Sequence, residues 1–168
     1  MELAAQAVAE YRKFKLCQLV HVDQHKAPTN AVEIKRLLDC GFEYAREISE
    51  EYRLLDDENN VRTSQDGFSY LNSGDFEKRR AQMSEIEGEI IGGKSGETLQ
   101  GWRQHMQRRE IEMMRNIYAY CKDDANAFDT GVFLIGAGHR TSIAKQIENF
   151  AGREADLIVW NLYDGQIA

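Results

Sequence analysis

The sequence predicts an α/β protein, a small and mostly parallel sheet carried by long helices. Three observations lead there. The apolar runs LCQLVHVD (Leu16 to Asp23), VFLIG (Val132 to Gly136) and DLIVWNLY (Asp156 to Tyr163) have strand length and strand composition. The last two flank a helix-length segment, Ser142 to Phe150, so the carboxyl end reads as a β-α-β unit, which nearly always joins parallel strands by a right-handed crossover. Long stretches of helical period fill the space between the first run and the second.

Leu3, Ala7, Tyr11 and Phe14 recur at helical spacing, predicting an amphipathic helix over residues 2–14. LCQLVHVD follows, and the chain then breaks at Pro28, its only proline. Asn30 is placed to cap the next helix, with Glu33 three positions on as in a capping box. Ile34, Leu37, Leu38, Phe42, Ala45, Ile48, Tyr52 and Leu55 trace its apolar stripe, with a bend expected near Gly41. Residues 56–74, DDENNVRTSQDGFSYLNSG, hold turn residues without a sustained period and read as a loop. Asp75 can cap a helix to about Ile91, GGKSG (Gly92 to Gly96) marks a turn, and Thr98 opens a helix to about Lys122. The 168 residues suit a single domain, 1–168, in which 30–97 form a helical insertion.

Composition narrows the function classes. Twenty-one Lys and Arg against 28 Asp and Glu leave a net charge of −7, which disfavours phosphate backbones as partners. Arg103, Arg108, Arg109 and Arg115 form the one basic cluster, and Glu110 and Glu112 dilute it. No apolar run is long enough to span a bilayer. Cys17, Cys40 and Cys121 are odd in number and widely spaced, with no C-x-x-C pair, which predicts reduced cysteines and a cytoplasmic setting. The amino terminus lacks the apolar core of a signal peptide.

Two places carry polar residues where packing alone would not put them. Trp102, Met106, Met113, Ile117 and Tyr120 define a buried stripe that continues through Arg109, with Asn116 nearly in line. An arginine on an apolar face needs a carboxylate or several carbonyls, unless it snorkels to the rim. In FLIGAGHRTSIAKQ, Gly136 and Gly138 free the backbone to turn tightly beside His139, and imidazole there can be general base, general acid, metal ligand or a solvent-facing cap. In HVDQH, His21 and Asp23 alternate onto one strand face. With His139 they make a candidate three-ligand site for a divalent metal. Gly136-Ala137-Gly138 between strand and helix also allows a dinucleotide reading, but Thr141 stands where the third glycine belongs. Arg140, Thr141 and Ser142 can alternatively hold an anion at the helix start.

The segment RREIEMMRNIYAY holds R-x-x-x-M-x-x-N-I as Arg109, Met113, Asn116 and Ile117, followed by an apolar strand and G-x-x-H, Gly136 to His139. This order resembles the closing half of the superfamily that groups erythromycin esterase-like proteins, TraB/pheromone-shutdown proteins, ChaN haem-uptake proteins and Tiki proteases. The likeness covers about residues 98–163. Members usually begin with a strand bearing Gly-Glu or Gly-x-x-His, for which this chain has no match; a shortened member, a fragment and a protein completed by a partner subunit all remain open.

The resemblance implies a hydrolase-like protein acting on an ester or peptide bond. His139 would activate water or bind a metal, Asp23 would orient it or share the metal, and Arg109 with Asn116 would hold a substrate oxygen. Gly136, Gly138 and Arg140 would line the substrate's place. The alternatives are a non-catalytic module binding a small anionic ligand or, by the ChaN likeness, haem, and a helical interaction protein. His139, Arg109 and Asp23 are expected to converge at one sheet edge. A three-strand sheet leaves edges and faces uncovered, which predicts a homo-oligomer with an apolar interface of roughly 2,000 Å² or more.

Overall fold

The computed structural model describes residues 20–126, 128–154 and 157–162. Four α-helices organise them: α1 (Ala31–Ile48), α2 (Glu50–Leu71), α3 (Gly74–Lys122) and α4 (Arg140–Glu154), the last entered through a single 3₁₀ turn at Ala137–His139. The spine is α3, whose 49 residues make a rod about 73 Å long at 1.5 Å per residue.

The amino-terminal part of α3 receives α1 and α2. Leu38, Ile91 and Leu99 form one buried cluster with Ile34, Phe42 and Trp102 against it. Ala45, Tyr52 and Met83 form a second, flanked by Leu55, Ile86 and Ile90. Helix α1 is continuous through Gly41, and there the lack of a side chain serves packing: a Cβ at this position would stand 3.2 Å from Ile91 Cδ1. At the other end of α3, Met114, Tyr118, Ile143 and Ile147 make a third cluster between α3 and α4, joined by Phe133, Ile135, Ile158 and Trp160.

The expected α/β fold is corrected here: no strand forms among the described residues. Residues 131–136 and 157–162 alternate as strands do, with Phe133, Ile135, Ile158 and Trp160 turned onto the helices. Val132, Leu134, Leu157, Val159 and Leu162 face outward, Val132 and Val159 at 78% and 88% exposure. A sheet also needs backbone partners, and among the described residues these segments exchange no backbone hydrogen bonds. Side-chain burial on one side keeps them extended, while solvent on the other satisfies their peptide groups. The helix expected over 2–14 and the first part of LCQLVHVD lie outside the described residues, as do the two ends of DLIVWNLY.

Three helix boundaries also move. The helix expected from Asn30 to Leu55 divides at Ser49, whose side chain accepts from the Tyr52 N–H and starts α2. Asn30 makes no side-chain cap, and Glu33 instead pairs with Arg36 at 2.8 Å. Residues 56–74 are mostly helix rather than loop, because their carboxylates find cations: Arg46 reaches Asp56 and Asp57, and Arg79 forks onto Glu58 at 2.6 and 2.8 Å. Gly67, at φ 52°, supplies the one left-handed kink inside α2. Ser73, not Asp75, caps α3 by accepting from Phe76 N–H. The turn expected at Gly92–Gly96 is helical, held from both sides where Ile91 and Leu99 are buried against Leu38.

Candidate functional site

The face of α3 from His105 to Asn116 carries the polar residues that the sequence placed on an apolar stripe, and the structure shows what they meet. The buried stripe runs through Glu110, Met113, Met114 and Tyr118. Arg109 therefore lies at its edge, and its guanidinium takes Asp23 of the segment preceding α1. Nε donates to Asp23 Oδ2 at 2.8 Å, and Nη2 donates to the same oxygen. Asn116 Nδ2 donates to the Val22 carbonyl at 2.8 Å. His25 Nδ1 stands 2.5 Å from Glu112 Oε2, and its ring centroid is 4.9 Å from that of His105. Positions 105, 109, 112 and 116 follow helical spacing, so one face of α3 holds residues 22–25 as a strap.

Asp23 is held below the usual carboxylate range, chiefly by the hydrogen bond from Arg109, with partial burial opposing; the nearby His139 also lowers it. Arg109 is raised in turn, first by that hydrogen bond. Burial pushes His105 down, and the charges of His25, Arg109 and Arg108 push the same way.

Glu110, 4% exposed, is the centre of the second half of the site. His139 Nδ1 lies 2.6 Å from its Oε1, and Ser142 Oγ donates to its Oε2. A carboxylate can only accept, so Nδ1 carries the proton and the Nε2 lone pair is left for other work. Ser142 does not reach His139, since the acid sits between them. The arrangement is thus a Glu–His pair with a supporting hydroxyl, not a relay from serine through histidine to acid. Arg140 Nη1 donates to Glu77 Oε1, which ties α4 to the start of α3.

Gly136 and Gly138 are exposed. A Cβ at Gly138 would meet nothing within 4 Å, and one at Gly136 would meet His139 Cδ2 at 3.8 Å, so Gly138 borders open space and Gly136 lies against the ring. Asp23 thus meets Arg109 and His139 meets the adjacent Glu110 of α3, at no sheet edge. His21 is exposed, and its carbonyl accepts from Gln24. The expected metal trio of His139, His21 and Asp23 is not assembled: among the described residues no three His, Cys, Asp or Glu side chains are grouped to hold a metal ion. Asp23 and His139 are each engaged by another protein partner.

Glu110 reads as a solvated charge and Ser142 as part of an anion-holding helix start, so their pairing beside His139 escaped the sequence reading. The available signal was an acid flanked by Met106, Met113 and Met114 at three- and four-residue spacings. Gly88 to Ser95 spells G-x-x-x-x-G-K-S, the spacing of a phosphate-cradling loop, yet its backbone is helical throughout, so its N–H groups face along the helix. Among the described residues no helix is long and apolar enough to cross a membrane. No protein-family model, curated protein or solved structure matches the chain.

Proposed function

We propose that the His139 face is a hydrolytic site, in which His139 acts as general base for attack of water on an ester or peptide carbonyl. The observation that carries this reading is the buried Glu110 carboxylate on His139 Nδ1, which orients the ring and stabilises the imidazolium that forms when Nε2 takes a proton from water. Arg109 directly precedes Glu110 on α3 and supplies charge for an anionic oxygen. Ser142 is a positioning residue that fixes the second oxygen of Glu110. Among the described residues no group of three His, Cys, Asp or Glu side chains is placed to hold a divalent ion.

A panel of chromogenic aryl esters and peptide anilides tests the reading. Removing a general base costs about 10²–10⁴-fold in turnover, so His139→Ala should fall by that factor while still melting cooperatively, at a lower temperature because the buried Glu110 loses a partner. Turnover retained in His139→Ala overturns the assignment. The outward aliphatic residues Val132, Leu134 and Val159 also support self-association of the chain. Light scattering at micromolar concentration returning a dimer supports that expectation, and a monomer ends it.

A further inference from the structure

The Arg109–Asp23 pair is only partly shielded. Their side chains are 33% and 34% exposed, and Asp23 offers a single oxygen, Oδ2, to both donors of the guanidinium. A guanidinium fork fits a carboxylate through two oxygens, so one-oxygen contact leaves room for a better partner. Asp23 stands on a strap that keeps two further ties, Asn116 to the Val22 carbonyl and His25 to Glu112. Losing the Arg109 contact therefore does not free the strap from α3.

We propose that Arg109 is the recognition point for a substrate carboxylate, and that Asp23 occupies it as an internal competitor until such a ligand arrives. The ligand class is a small molecule or peptide end bearing a free carboxylate near the bond to be broken. Its carboxylate takes the two-oxygen seat on Arg109, and its remainder extends past Glu110 toward His139 Nε2 over the open side left by Gly138. This deepens the hydrolytic reading by naming a substrate class, and it rests on that reading only for what happens at His139.

Calorimetric titration of the full chain with sodium succinate, and with the neutral succinamide as control, tests the inference without turnover. Removing an internal competitor of exposed ion-pair strength should tighten succinate binding about fivefold in Asp23→Asn relative to the unaltered protein. Arg109→Gln should lose succinate binding, and succinamide should not bind any of the three. Should Arg109→Gln fail to melt cooperatively, Arg109→Lys serves in its place and should bind more weakly than the unaltered protein, since an ammonium cannot fork. Equal affinity for Asp23→Asn and the unaltered chain, binding retained without Arg109, or no succinate binding at all each overturns it. His139→Ala should bind succinate normally while losing turnover, so a failure here is separable from a failure of the general-base assignment.

Discussion

The two ends of α3 solve the same packing problem differently. Toward its start, α1 and α2 close two clusters with helices alone, and a buried acid there, Glu87, is surrounded by Tyr52 at 3.1 Å, Arg80 at 3.6 Å and Arg103 at 3.8 Å. Burial and the Glu87 carboxylate together push the Tyr52 hydroxyl up, the mark of an acid locked into structure. Toward its end, α4 and two extended segments pack on α3, and the buried acid, Glu110, holds through Nδ1 a histidine whose side chain keeps 23% exposure. A buried carboxylate with cations and a phenol close around it is scaffold. One that aims an imidazole outward has the geometry of chemistry.

The largest effects should come from hollowing either end. Met83 and Met114 are the largest fully buried side chains, and each cut to alanine should cost about 2–5 kcal/mol. If the rod couples both ends, calorimetry of Met83→Ala and Met114→Ala shows one transition lowered in each. Two transitions, each responding to one variant, would make the ends independent units. Gly41→Val should come next, losing about 1–3 kcal/mol because the added carbons meet Ile91.

Smaller and opposite in sign, Gly92→Ala and Gly96→Ala should each stabilise by about 1 kcal/mol, since the backbone is helical and a Cβ meets nothing at either position. Chemical denaturation showing a loss would mean that the middle of α3 uses its glycines for something other than helix. The smallest effect is the pH step of His105. Its folded value lies below its ordinary one, so the unfolded chain binds the proton more readily. Stability should therefore fall as pH drops below about 6.5, reaching its full loss below the folded value. Melts of His105→Asn across that range should lack this step.

Much of this was legible in the residues, with informative gaps. Arg109 on the apolar stripe announced a partner, and Asp23 is that partner, since a half-buried cation beside an apolar face is best satisfied by a carboxylate. VFLIG and DLIVWNLY read as strands from their apolar runs, but a continuous apolar run fixes neither the buried face nor a pairing, so the sheet did not follow. GGKSG looked like a turn because propensity is local; Ile91 and Leu99, buried on either side of it, hold the helix through. Glu110 was missed because the stripe was traced through Tyr120 rather than Met114 and Tyr118, a rotation of under half a turn that hid the acid among the solvated charges.

The central claim is that Glu110 sets the proton of His139. Nitrogen-15 spectra of the imidazole at alkaline pH, compared with those of Glu110→Gln, measure it directly. The account predicts that neutral His139 carries its proton on Nδ1, with Nε2 bare, and that the substitution weakens this preference. A proton resident on Nε2 in the unaltered protein would contradict it.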